Sequence, residues 1–93
     1  MTELREEVVV LRVAAKSNPN AVAGALAGVI REKGRAELQT IGAGALNQAV
    51  KAVAIARYFL TNDGIDLIMR PAFTDVNTPD GERTSIRLML EKK

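Results

Sequence analysis

The amino-acid sequence predicts an α/β (α+β) two-layer sandwich, with two helices packed on a four-stranded sheet in the order β-α-β-α-β-β. Short β-branched or alternating segments mark the strands, and two longer segments have helical periodicity. Glycine, proline and asparagine separate these segments. With 93 residues, 47% of them apolar, the chain suffices for one core, so we expect a single domain over residues 8–93 after a polar, flexible segment at 1–7.

The first half of the chain predicts strand, helix and strand. Residues 8–15 are β-branched and apolar with a single Arg12, a pattern typical of a strand covered on both faces. Asn18 is placed to cap a helix whose first position is Pro19, and helical periodicity follows over residues 21–33 until a glycine ends it. Residues 35–41 then alternate well enough for a second strand.

The C-terminal third predicts a β-hairpin. Residues 65–76 form a long strand, in which Pro71 indicates a sheet edge or a bulge. Residues 77–82 are rich in turn formers, and residues 83–91 alternate again as the last strand.

The composition narrows the range of possible functions. The chain has no histidine and no cysteine, so we expect neither a metal nor a cofactor, and no catalytic pair built on those residues. Four acids cluster near turns, where they are typical turn formers and solvated charges rather than acid–base catalysts: Asp63, Asp66, Asp75 and Asp80. We therefore expect no enzyme. No leader or apolar run suggests export or a membrane, which makes the cytoplasm the expected location.

The segment Ile41-Gly-Ala-Gly-Ala-Leu-Asn47 passes from a strand through a glycine turn into an alanine-rich helix that runs to about Leu60. Such a junction directs backbone N–H groups at one spot and suits an anion. The third glycine of a dinucleotide fingerprint and the lysine of a Walker motif are both missing, which argues against a nucleotide cofactor. A phosphate of a nucleic-acid backbone and a plain strand-to-helix connection remain equally compatible with it.

Basic residues surround this junction in the predicted fold. Lys16 lies in the first strand–helix loop, Lys51 on the polar stripe of the second helix, and Arg70, Arg83 and Arg87 on the hairpin. Each alone is typical of a solvated surface charge. Together they are able to line one side of the domain and to contact phosphates.

Small and apolar residues on exposed helix faces suggest a second kind of surface. Gly24 and Gly28 lie nearly opposite the apolar face of the first helix, where they permit close approach or are simply tolerated. Ile55 and Tyr58 lie on the polar side of the second helix, which favours a partner contact.

Three motifs point to a known family: Lys16-Ser-Asn-Pro-Asn-Ala-Val-Ala-Gly-Ala-Leu-Ala-Gly28, the segment from Ile41 to Arg57, and Pro71-Ala-Phe-Thr-Asp75. Together they closely resemble the stage V sporulation protein S family of bacteria, which is similar to the Alba superfamily. The resemblance implies the same element order and a small basic dimer, or higher homo-oligomer, that binds DNA or RNA. It implies contacts through Lys16, the loop Gly42-Ala-Gly44 and the hairpin at residues 65–91.

The leading hypothesis is therefore a non-enzymatic nucleic-acid-binding regulator that acts as a homodimer in sporulation or related developmental control. Its expected phosphate contacts are Lys16, Ser17, Asn18, Gly42, Ala43, Gly44, Asn47, Lys51, Arg70, Arg83 and Arg87. The alternative is a protein-interaction or scaffolding module whose oligomer or partner contacts are Gly24, Gly28, Ile55 and Tyr58. A small anionic ligand at residues 42–47 is the third possibility.

Overall fold

The computed structural model of the protein describes residues 8–79 and 81–93, with side chains at 8–74, 79 and 85–93. It confirms the predicted order of elements, β1-α1-β2-α2-β3-β4. Their bounds are β1 Val10–Val13, α1 Pro19–Lys33, β2 Arg35–Thr40, α2 Ala43–Thr61, β3 Leu67–Thr78 and β4 Gly81–Lys92.

The four strands form one mixed sheet in the order β1-β2-β4-β3. β1 runs parallel to β2, with α1 as the connection between them, and the other pairs are antiparallel. β3 is an edge strand, which confirms the prediction from Pro71, because a proline without an N–H is tolerated at a sheet edge.

Both helices pack on one face of this sheet and leave the other face uncovered. The covered face contributes alternate strand residues to the core, among them Leu38, Leu88 and Leu90. The prediction that β1 is covered on both faces is wrong, since Val10 is 47% exposed on the uncovered face. We call this uncovered surface the open face.

Alanine dominates the contact between the two helices and explains how they pack closely above a small sheet. Both helices present fully buried alanines and a few larger residues to the core: Ala23, Leu26, Ala27 and Ile30 from α1, and Ala49, Ala52, Ala56 and Leu60 from α2. Because alanine is the best helix former and the smallest of these side chains, the same residues favour helix formation and allow the two helices to pack closely.

The helix ends agree with the sequence pattern. The Asn18 side-chain oxygen accepts hydrogen bonds from the backbone N–H groups of Asn20, at 2.8 Å, and Ala21, at 3.4 Å, so Asn18 is the predicted cap. Gly34 has φ 85° and donates its N–H to the Ile30 carbonyl over 2.9 Å, so it ends α1 as predicted.

The hairpin is longer than predicted. β3 and β4 stay paired as far as Thr78 and Gly81, so the turn is shorter than the predicted 77–82 segment. Residue Asp80 and the side chains of Asp75 and Arg83, all three named in the sequence predictions, lie outside the described part of the structure.

Candidate nucleic-acid interface

The loop between β1 and α1 is a closed turn that carries Lys16 at its exposed tip. The Ser17 hydroxyl accepts a hydrogen bond from the Ala14 N–H over 2.9 Å, and the Ser17 N–H donates to the Ala14 carbonyl over 3.0 Å. Lys16 lies between these two residues with its side chain in solvent. Such a turn fixes the backbone at Lys16 and leaves its ammonium group exposed.

Ser17 and Asn18, both predicted as phosphate contacts, are occupied with the backbone of their own segment. Ser17 closes the loop, and Asn18 caps α1. Their side chains therefore position Lys16 and the start of α1, and a direct phosphate contact would have to use other hydrogen-bonding atoms.

The start of α2 leaves backbone donors available. Gly42 has φ 93° and ψ 158°, a conformation that favours glycine, and contributes no side-chain cap. The first turn of the helix closes with the Leu46 N–H donating to the Gly42 carbonyl over 3.1 Å. The N–H groups of Ala43, Gly44 and Ala45 precede this bond, at the positively polarised end of the helix.

Two contacts join the Lys16 loop to the start of α2. A β-carbon placed on Gly44 would lie 3.0 Å from the Ala15 β-carbon, so any larger residue would require the loop or the helix to shift by a few tenths of an ångström. The Gln48 side chain donates from Nε2 to the Ser17 carbonyl over 2.9 Å. The sequence pattern places Gln48 on the polar side of α2 but gives no sign of this partner.

Asn47 and Lys51 continue the same surface along α2. They are four residues apart and therefore neighbours on one side of the helix, and both are exposed. Within the described ranges, neither Lys16 nor Lys51 forms an ion pair with a carboxylate. This surface, which we call the loop–helix site, consists of Lys16, Ser17, Asn18, Gly42, Ala43, Gly44, Asn47 and Lys51.

The hairpin arginines lie apart from the loop–helix site. Arg70 and Arg87 project from the open face, on the side of the sheet away from the helices. Arg70 is ion-paired with Glu91, and Arg87 Nη1 lies 3.7 Å from the Glu37 carboxylate. Their charges are thus partly neutralised, and the predicted arrangement of all basic residues on one side does not include these two.

The predicted partner residues differ in their exposure to solvent. Gly24 and Gly28 are exposed on α1, and a β-carbon at either would meet nothing within 4 Å. Tyr58 is 76% exposed. Ile55, in contrast, is half-buried and packs against the core, so its burial has a structural reason.

A larger apolar surface lies where α2 faces the hairpin, and sequence reasoning missed it. Phe73 is 78% exposed, and it lines a groove with Ile86 and Leu46 that reaches the start of α2. Pro71 borders Phe73, and Val50, one helical turn beyond Leu46, is 44% exposed. We call Leu46, Val50, Pro71, Phe73 and Ile86 the hairpin-side surface. Leu46 and Ile86 also pack against the core, so the exposed members of this surface are Val50, Pro71 and Phe73.

Two of the clustered acids have structural partners. Asp63 lies 2.7 Å from Arg31 Nε, and Asp66 lies 3.5 Å from Arg57 Nη2. In the described part of the chain no group of three acidic, histidine or cysteine side chains is placed to hold a metal ion. Likewise, none of the helices there is long and apolar enough to cross a membrane.

Fold and site together define a small α+β domain of β-α-β-α-β-β order, with an exposed lysine loop fastened to a glycine-rich helix start. A family model described as Stage V sporulation protein S (SpoVS) matches residues 9–93, and the chain belongs to this family. Alba from Thermoplasma volcanium has a similar fold, with a TM-score of 0.62 over 90% of this chain and 98% of that one. Sequence identity between the two is 13%.

Proposed function

We propose that this SpoVS-family protein is a non-enzymatic, nucleic-acid-binding regulatory protein. It binds the phosphate backbone of DNA or RNA as a homodimer and acts in sporulation or related developmental control. The observation that carries the proposal is the junction at Gly44 and Gln48, which fixes the Lys16 loop against an α-helix start without a side-chain cap.

The chemistry of the loop–helix site supports a phosphate ligand. Lys16 and Lys51 supply mobile positive charges, and the backbone N–H groups at Ala43 and Gly44 supply fixed donors at a helix N-terminus. Contacts of this kind position a nucleic-acid backbone and carry no sequence information. The family membership and the Alba-like fold support the same interpretation.

A homodimer is supported by the hairpin-side surface. An exposed phenylalanine stands beside an exposed proline, in a groove that continues to Leu46 of α2, and an apolar patch of this kind typically marks a protein interface. A two-fold axis lets one such patch contact its own copy, so a single surface suffices for a dimer. We propose this surface, in place of Ile55, as the main apolar contact, with Tyr58, Gly24 and Gly28 as the competing candidate.

The test is a fluorescence-anisotropy titration of a labelled DNA duplex and a labelled single-stranded RNA at low salt. Lys16→Glu should weaken binding at least about tenfold, because it puts a negative charge beside phosphates. Lys33→Glu is the matched control, since Lys33 is an exposed lysine in the last turn of α1, at the other end of that helix. No binding by the wild type, or equal losses in the two variants, would contradict the proposal.

A protein-interaction module is the second candidate, and the same exposed Phe73 favours it. In this case the hairpin-side surface binds a different protein and the wild type has no affinity for nucleic acid. The anisotropy titration separates the two candidates, and light scattering then tells a self-associating surface from one that needs another partner.

A further inference from the structure

A groove on the open face lies beside the Lys16 loop, apart from the groove between α2 and the hairpin. It has a volume of about 430 Å³ and is lined by Arg12, Val13, Ala14, Ala15, Gln39 and Ile41. Ala14 and Ala15 also belong to the loop that carries Lys16, so the groove and the loop–helix site share a wall. A ligand bound at Lys16 can therefore reach the groove without leaving the protein surface.

Three polar side chains form one row across the sheet, and two of them, Arg12 and Gln39, line this groove. Arg12 of β1 is the register partner of Gln39 in β2, and Gln39 is the register partner of Arg87 in β4. All three project from the open face, because each alternates with residues that face the helices.

These groups have unused hydrogen-bonding capacity. Among the residues with described side chains, Arg12 and Gln39 have no hydrogen-bond or ion-pair partner. The buried Nε of Arg87 also lacks a hydrogen-bond partner there. A buried N–H without a partner is an exception in a folded protein, and the Arg12 and Gln39 side chains are accessible for hydrogen bonds to a ligand.

The chemistry of Gln39 distinguishes between two possible occupants. A phosphate oxygen only accepts hydrogen bonds, whereas a carboxamide offers both a donor and an acceptor. The edge of a nucleobase presents the same mixture, and glutamine pairs with adenine through two hydrogen bonds. The neighbouring Arg12 guanidinium offers a flat cationic surface for stacking in a groove that is lined by no aromatic ring.

We propose that this groove holds an unpaired base of a single-stranded nucleic acid, with adenine preferred, while Lys16 holds the adjacent phosphate. This inference rests on the proposed nucleic-acid function and adds a base-reading site to it. A concave site on the sheet receives a base that projects from its strand, which a duplex does not offer. Gln39 is the specificity-determining residue, and Arg12 supplies stacking and charge.

The experiment is an anisotropy titration with three labelled 12-nucleotide DNA single strands, none of which pairs with itself: dT12, dC12 and an alternating dA/dC strand. The wild type should bind the dA-containing strand about tenfold more tightly than the other two, as expected for one bidentate amide–adenine pair. Gln39→Leu should abolish this preference and leave the affinity for dT12 within about twofold. Val10→Leu, exposed on the same face but outside the groove, should keep the preference.

A second variant keeps the inference falsifiable if Gln39→Leu folds poorly. Gln39→Glu preserves the shape of the side chain but only accepts hydrogen bonds, so the ratio of dC12 to dT12 affinity should rise, since glutamate accepts from the cytosine amino group. Equal, salt-sensitive wild-type binding to all three strands would overturn the base site and leave the proposed function standing. Absence of binding to every strand and duplex would overturn both.

Discussion

The Gln48 side chain donates a hydrogen bond to the Ser17 carbonyl and so connects α2 to the loop that carries Lys16, across 31 residues of chain. This bond is partly buried, and no other side-chain hydrogen bond among the described residues joins these two segments. The start of α2 therefore helps to position the loop that carries Lys16.

Loss of this bond should loosen the loop. Gln48→Leu keeps the size of the side chain and leaves the Ser17 carbonyl without its partner, which should lower the free energy of unfolding by about 1 kcal/mol. Chemical denaturation measures this change, and the same variant should bind a DNA duplex more weakly. An unchanged stability together with unchanged binding would show that the loop needs no such support.

The close approach at Gly44 makes a second prediction. Gly44→Ala puts a β-carbon 3.0 Å from the Ala15 β-carbon and must displace the loop or the helix. Gly24→Ala is the matched control, because it adds a β-carbon in open space and should stabilise α1 by about 1 kcal/mol.

We expect the free energy of unfolding of Gly44→Ala to be at least about 1 kcal/mol lower than that of Gly24→Ala. Helix propensity favours alanine at both positions, but the new β-carbon is crowded only at residue 44. Denaturation midpoints of the two variants test this. Equal stabilisation would mean that the loop adjusts freely and that Gly44 is not required for the contact.

The Asn18 cap should contribute measurably to stability. Asn18→Ala removes the oxygen that accepts from the Asn20 and Ala21 N–H groups, at a cost of about 1 kcal/mol. Asn20→Ala changes the same residue type two positions later, inside the helix, and should cost much less. If both variants lose the same stability, the cap is not the cause.

Oligomer formation should depend on Phe73 rather than Tyr58. The two rings are exposed to nearly the same extent, Phe73 to 78% and Tyr58 to 76%, but of the two only Phe73 belongs to the hairpin-side surface. Phe73→Ser should shift the protein from dimer to monomer in light scattering across a concentration series, and Tyr58→Ser should not. The reverse pattern would favour the surface around Gly24 and Gly28.

Much of the fold followed from local patterns. Asn18, Gly34 and the periodicity between them fix α1, and Pro71 correctly indicates an edge strand, because each reports a constraint on the backbone itself. The apolar segment at β1 was misleading. Val10 is exposed although it is β-branched, since hydrophobicity alone does not tell which face of a strand a helix will cover.

Sequence reasoning could propose Lys16 from its loop, Gly42 from its place at a helix start and Lys51 from the polar side of α2. Gln48 with Ser17, and Arg12 with Gln39, meet through tertiary packing and strand register, which a single sequence does not encode in any short motif. The ion pairs on the open face likewise depend on strand register. Arg70 of β3 pairs with Glu91 of β4, and Arg87 of β4 pairs with Glu37 of β2.

The salt dependence of nucleic-acid binding tests the central claim most directly. The logarithm of the binding constant for a DNA duplex should fall linearly with the logarithm of salt concentration, with a slope of about −0.9 for each phosphate contact. Lys16→Gln should make this slope shallower by about 0.9, whereas Lys33→Gln should leave it unchanged. A wild type whose binding is absent, or a Lys16→Gln slope equal to that of the wild type, would contradict the account.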